Sequence, residues 1–329
     1  RVLTSDDLLH LAEVPHSLAI VGAGIIGVEY AGIFSTLGIR VTLIDRRERL
    51  LPFVDLEVGD TLVEHLTDNG VELHLGEDVD EIDTANPDIV KVRLGSGKTV
   101  TAEAVLYSVG RVGATETLNL AAAGLQADDR GRIPVDEHFR TAVPHIYAAG
   151  DVIGNPALAA TSMEQGRIAA CHAFGVPEQT AVLPLPYAIY TVPEIAMLGP
   201  TSEELDEAGV EYVVGRASYD EVARGRMLGD RTGFLKMLFH AETGRLVGIH
   251  AIGVNASELI HIGQAVMSFG GGLDYFIDTV FNYPTLAECY KAAALDAANH
   301  LRRSDQYASI DMFVPAPPVP GLEGHHPPA

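Results

Sequence analysis

Ser17-Leu18-Ala19-Ile20-Val21-Gly22-Ala23-Gly24-Ile25-Ile26-Gly27 opens the segment whose reading decides the fold. It is a short apolar, β-rich run ending in glycines. From Val28 to Leu37 apolar residues then recur at helical spacing until Gly38 stops them, and Gly38 to Asp45 reads as a second strand. Strand, glycine turn, helix and strand within about thirty residues make a βαβ unit. In such a unit Gly22 permits the tight turn, Gly24 lets the backbone approach a pyrophosphate, and Gly27 lets helix pack closely on strand. The free amides and positive dipole end of the helix point at the phosphates. Asp45 follows about twenty residues on, where a carboxylate meets the hydroxyls of an adenine ribose. The segment predicts a dinucleotide site.

Arg46 and Arg47 come directly after Asp45. A carboxylate favours the free 2′-hydroxyl of NAD, whereas an arginine forms charge-assisted hydrogen bonds with the 2′-phosphate of NADP. Each such bond contributes about 1.5–3 kcal/mol, so the two preferences offset one another, and use of both cofactors is the expectation, with Arg46 as the phosphate ligand. The alternative is that Arg46, Arg47 and Arg49 form a solvated charge run opposite Glu48.

Outward from this unit, a helix is predicted from about Asp55 to Asn69, a strand at Val71 to Leu75, a three-stranded antiparallel meander between Val79 and Ala102, and an apolar strand from Ala104. The chain changes character after Gly110, with a strand predicted at His145 to Ala148 and a helix from about Ala157 to Phe174. After Pro184-Leu185-Pro186, strands at Phe234 to Phe239 and Leu246 to Ala251 alternate with helices near Ser202, Ala256 and Thr285, an α+β pattern. The predicted fold class is α/β, with Rossmann-like FAD/NAD(P)-binding domains and an α+β C-terminal dimerisation domain. The boundaries read as a linker over 1–15, an NAD(P)-binding domain over 16–110, part of an FAD-binding domain over 111–183, a dimerisation domain over 184–304, and a Pro- and Gly-rich, disordered tail over 305–329.

Composition narrows the function classes. A formal net charge of -23 repels the phosphates of DNA and RNA, so nucleic-acid binding is not expected. No apolar run reaches the about eighteen residues needed to span a bilayer, which predicts no membrane segment. Cys171 and Cys289 form no C-x-x-C or C-x-x-x-x-C pair, and the histidines lack ligand spacing, so no metal site is predicted; a reduced, cytoplasmic setting fits.

Thr141-Ala142-Val143-Pro144-His145-Ile146-Tyr147-Ala148-Ala149-Gly150-Asp151 resembles the flavin-binding motif of the class I pyridine nucleotide-disulfide oxidoreductase family. The resemblance implies that Asp151, after Gly150, holds the ribityl chain of FAD; the alternative is an ordinary helix N-cap. Ser108-Val109-Gly110-Arg111 is similar to the family's turn between nucleotide and flavin domains. In Phe281-Asn282-Tyr283-Pro284-Thr285-Leu286-Ala287-Glu288, Tyr283 stands where disulfide reductases of the family carry a His before Pro-Thr, paired with the Glu. A tyrosine with a pKa near about 10 is a poor base at neutral pH, so thiol chemistry loses its proton acceptor while Glu288 remains.

With that substitution, the stretch from about Ser5 to Leu301 resembles the soluble, Si-specific NAD(P) transhydrogenases, a group within the family. What this implies is hydride moving between NADPH and NAD through bound FAD in a homodimer or higher homo-oligomer, with Tyr283 and Glu288 acting across the interface. Glu29 matches a glutamate that pairs with a lysine beside the flavin; the alternative is a helix surface charge. The family's first glycine-rich motif is not found among these residues, so the chain reads as a carboxyl-terminal fragment that binds FAD poorly and is inactive alone. A dihydrolipoamide dehydrogenase-like or diaphorase flavoprotein, and a non-catalytic NAD(H)-binding module, are the competing expectations.

Overall fold

The computed structural model of the chain describes residues 1–154, 156–177 and 185–303. They form two compact units, one combining Arg1–Val109 with the chain from Pro186 and the other within Gly110–Leu185. The predicted boundary at 183 and 184 and the predicted tail over 305–329 lie outside the described residues.

The first unit begins with β1 (Val2–Leu3), α1 (Ser5–Leu8), β2 (Ser17–Val21), α2 (Ile25–Thr36), β3 (Arg40–Asp45), α3 (Leu56–Asp68), β4 (Glu72–Leu75), β5 (Val79–Asp83), β6 (Val90–Leu94), β7 (Thr99–Ala102) and β8 (Ala104–Tyr107). Strands β1-β8-β2-β3-β4 pair in that order, all parallel. Helix α2 is capped by Leu37 and followed by Gly38, whose φ of 81° is the left-handed conformation that lets the chain turn back into β3. Helix α3 starts on Asp55, whose carboxylate accepts from the Glu57 amide at 3.2 Å.

The parallel sheet is covered on both faces, which is why β2 is an unbroken apolar run. Ala19, Val21, Ile44 and Val105 pack on Val90, Val92 and Leu94 of β6. That strand alternates buried with exposed residues, as half-covered antiparallel pairing requires. On the other face Leu18, Ile20, Leu43 and Leu106 meet Val28 and Ala31 of α2 and Val58 and Leu62 of α3. Each such large side chain contributes about 1.5–3 kcal/mol by leaving water.

The second unit contains 3-10 turns at Glu116–Leu118, Leu120–Ala123 and Asp151–Ile153, and helix α4 (Ala159–Ala173). The strand expected at His145 to Ala148 is reduced to a single antiparallel bridge, Arg140 with Tyr147. Pro144 has no N–H for a ladder, and the chain instead folds tightly around it: the Ile146 amide donates to Val143 O (2.9 Å) and the Thr141 hydroxyl to Ile146 O (2.9 Å).

The first unit resumes with β9 (Tyr187–Ile189), β10 (Ile195–Leu198), α5 (Ser202–Glu207), β11 (Tyr212–Ser218), α6 (Ala223–Leu228), β12 (Phe234–His240), β13 (Leu246–Ile252), α7 (Ala256–Ser268), α8 (Leu273–Asp278) and α9 (Glu288–Arg303). Its antiparallel sheet runs β11-β12-β13-β10-β9. Helix α9 lies close on this sheet because it presents alanines to a glycine: a Cβ on Gly215 would stand 2.1 Å from Ala293 O. The opposite face sends Ile189, Ile195, Phe234 and Ile252 into the core that holds Leu18 and Ile20. The mixed α/β class expected from the sequence is the architecture observed, a parallel dinucleotide-type sheet with an antiparallel sheet of the dimerisation type.

Candidate functional site

The glycine loop is shaped by backbone contact. Gly22 has φ of 102°, its amide donates to Ile44 O at 2.8 Å, and a Cβ there would lie 2.5 Å from Ser108 O. A Cβ on Gly27 would lie 1.9 Å from Gly22 O, so the first turn of α2 rests directly on the loop. Gly24, the N-cap, has nothing within 4 Å of a built Cβ; it faces open space. The first intrahelical bond runs from Val28 N to Gly24 O (3.0 Å), which leaves the amides before it for another acceptor. Backbone N–H groups around an open glycine at the positive end of a helix form an anion site.

Asp45 ends β3 beside this loop and is 7% exposed. Its Oδ2 accepts from the Ala23 amide (2.6 Å), tying the strand end to the glycine turn. Its Oδ1 accepts from Arg47 N (2.8 Å) and Arg47 Nε (2.9 Å), and Oδ2 also from Arg47 Nη2 (2.8 Å). Burial opposes the charge, but the Arg47 bonds and the Ala23 amide outweigh it and hold this carboxyl below the usual range. Arg46 is exposed. Asp45 thus meets Arg47 rather than Arg46. The sequence singles out the nearer arginine, but the chain leaves β3 at Asp45 in a bend, and the bond from Arg47 N to Oδ1 two residues back brings the second arginine over the carboxylate.

Glu29 lies on α2, partly buried, where Oε1 accepts from the Tyr190 amide at 2.8 Å. Burial pushes its carboxyl up despite that bond. Tyr283 is 74% exposed, and Glu288 accepts from the Thr285 amide (3.4 Å) at the start of α9. Cys289 beside it is fully buried, which pushes its thiol up to about 12. A protonated, buried thiol is a poor nucleophile.

In the second unit, Gly110 has φ of 130° and Gly150 φ of 83°. The Gly150 amide donates to Gln165 Oε1 (2.7 Å), fixing the turn to α4. Asp151 follows with an exposed side chain at the start of a 3-10 turn. An exposed carboxylate after a glycine turn can accept from a polyol such as the ribityl chain of FAD. His138 and His172 stack at 4.2 Å, with Tyr147 Oη 2.8 Å from His172 Nδ1, a cluster that sequence reading did not single out.

Backbone geometry, not cavity volume, locates these sites. A cavity of about 440 Å³ instead lies against Pro284, Thr285 and Leu286, lined also by Arg224 and Glu258. Among the described residues no helix is long and apolar enough to cross a membrane, and no cluster of His, Cys, Asp and Glu suits a metal ion.

The chain is 50% identical over 307 residues to the soluble pyridine nucleotide transhydrogenase of Mycobacterium tuberculosis (strain ATCC 25177 / H37Ra), covering 93% of this chain and 65% of that protein. It is 46% identical over 305 residues to the protein of the same description from Colwellia psychrerythraea, covering 92% of this chain and 65% of that one. The chain therefore spans about 65% of the length of these relatives. Among solved structures, LpdA from Mycobacterium tuberculosis superposes with a TM-score of 0.83 at 30% identity, over 90% of this chain and 64% of that one. The HOCl-induced flavoprotein disulfide reductase RclA from Escherichia coli gives 0.85 at 29%, over 89% and 68%. The family model for pyridine nucleotide-disulphide oxidoreductases matches residues 1–166, and the model for their dimerisation domain matches 185–294. With over half of its length under the first model and most of the remainder under the second, the chain belongs to the pyridine nucleotide-disulphide oxidoreductase family.

Proposed function

We propose that this chain is the nicotinamide dinucleotide-binding and dimerisation part of an FAD-dependent soluble pyridine nucleotide transhydrogenase, moving hydride between NADPH and NAD in the cytoplasm. The observation that carries the reading is the 50% identity over 307 residues to a protein of that description. Tyr283 supports it, since a tyrosine before Pro284-Thr285 leaves no base for a thiol.

In this reading 16–110 binds NAD(P), 111–183 belongs to the FAD domain, and 184–304 forms a homodimer. Gly22, Gly24 and Gly27 take the pyrophosphate and Asp45, with its arginine neighbours, the adenine ribose. Gly110, Gly150 and Asp151 serve FAD, whose ring when bound supplies the hydride relay. Glu29 sets the charge beside the nicotinamide pocket, and Tyr283 and Glu288 shape the partner's site without moving a proton. Exposed Phe269, Val280 and Tyr283, at 93%, 89% and 74%, are apolar surface on the dimerisation module for a second copy to cover.

Steady-state rates of thio-NAD reduction by NADPH test the reading in an enzyme of the relatives' full length carrying this chain. Parallel double-reciprocal lines, the pattern of two half-reactions sharing one carrier, are expected. The absence of FAD-dependent transfer would sink it.

A further inference from the structure

Asp45 has no acceptor site left. An ionised carboxylate offers about four lone-pair positions, and the two amides and two guanidinium nitrogens already described fill them. The amides of Ala23 and Arg47 belong to the main chain and stay. The other two donors belong to a single side chain, which is 42% exposed above a carboxylate only 6% exposed. Arg47 spans Oδ1 and Oδ2 with Nε and Nη2, the bidentate placement that the two hydroxyls of a ribose 2′,3′-diol would need. A diol therefore reaches Asp45 only after the guanidinium has left.

A 2′-phosphate has the opposite requirement. Against a bare Asp45 it would meet a like charge, whereas the docked pair is neutral. Of the five guanidinium N–H groups, two are spent on Asp45 and three remain for a phosphate oxygen. The neighbouring cations are placed differently: among the described residues the guanidinium bonds to Asp45 come from Arg47 and not from Arg46, and Arg49 Nη2 lies 3.4 Å from Asp60 Oδ1.

We infer that Arg47 is the cofactor-discriminating residue, a two-position switch that receives the 2′-phosphate of NADP(H) when docked on Asp45 and yields Asp45 to the ribose diol of NAD(H) when displaced. The inference rests on the dinucleotide reading above but not on flavin or hydride transfer. One side chain then serves both substrates at one site.

The test is calorimetric titration of the full chain with ADP-ribose and with ADP-ribose 2′-phosphate, probes that lack nicotinamide and so do not report on the flavin. Arg47→Gln is expected to weaken the phosphorylated probe at least about tenfold, the loss of one charge-assisted bond, while ADP-ribose binds equally well or more tightly because its competitor is gone. Arg47→Lys is expected to fall between, keeping the charge without the fork. Arg46→Gln is expected to change either probe by less than about fivefold, as for an exposed charge. Thermal melting of each variant establishes that it is folded. Loss carried by Arg46→Gln instead, or a parallel loss of both probes in Arg47→Gln, would overturn the switch and leave the dinucleotide site standing. Failure of both probes on the unsubstituted chain would overturn both.

Discussion

Lys236 Nζ lies 3.0 and 2.9 Å from the two carboxylate oxygens of Asp55, joining β12 of the antiparallel sheet to the N-cap of α3. Both side chains are buried, and Glu57 Oε2 stands 3.6 Å from the same ammonium. Removing one partner strands the other charge away from water. Asp55→Ala is therefore expected to destabilise the protein by about 3–5 kcal/mol in urea titrations, and Asp55→Asn with Lys236→Met together by less. Burial works against the Asp55 charge, but the Lys236 ammonium and the Ser202 amide favour it, and the carboxyl is held low. Its contribution is thus complete above the unfolded carboxyl range of about 4 and is lost as acid takes the pH down through the lowered folded value.

His250 gives a second pH dependence, nearer neutrality. It is fully buried; Nε2 donates to Pro200 O at 2.9 Å, and Nδ1 has no partner among the described residues. Burial depresses its pKa, as it does for His65. The unfolded chain therefore binds protons that the folded one does not, so stability is full above about 6.5 and falls as the pH drops below it. Melting midpoints from pH 7.5 to 5 are expected to decline, and His250→Gln, which keeps a donor for Pro200, to flatten that decline in part.

The glycine loop separates binding from folding. Gly24→Ala places a methyl in open space and is expected to melt like the unsubstituted chain while losing affinity for ADP-ribose, because the methyl occupies the approach of the pyrophosphate. Gly27→Ala forces its Cβ onto Gly22 O and is expected to lower the melting temperature as well. Melting and titration of the two variants side by side check this; equal behaviour would count against the assigned roles.

Tyr283→Phe is expected to leave thio-NAD reduction without the about 10²–10⁴-fold loss that follows removal of a general base. Replacing Cys171 with Ser and Cys289 with Ala is likewise expected to spare transfer. Steady-state rates of these variants decide whether a proton or thiol is used.

The parts legible in the sequence are those encoded locally. Gly22 to Asp45 carries strand, turn, helix and strand in consecutive residues, and β6 announces its half-buried face by alternation. Val2 and Leu3 were not read as a strand, because two residues have no period and gain their pairing from Val105 and Leu106, far along the chain. The Asp55–Lys236 pair spans a still longer separation, 181 positions, and no motif marks it. Helix α9 begins at Glu288 rather than at the expected Thr285, because the chain at Thr285 is still in a turn: the Glu288 amide donates to Thr285 O and the Glu288 carboxylate accepts from the Thr285 amide, while the Thr285 hydroxyl donates to Asn282 O. At the site, residue type pointed to Asp45 and to an arginine, but only the folded loop distinguishes Arg47 from Arg46.

The central claim is hydride transfer without thiol chemistry, and one comparison tests it most directly. An FAD-loaded enzyme of the relatives' full length carrying this chain is given NADPH and either thio-NAD or lipoamide. Rapid FAD-dependent reduction of thio-NAD with no turnover of lipoamide is predicted; turnover of lipoamide with thio-NAD left oxidised would contradict the account.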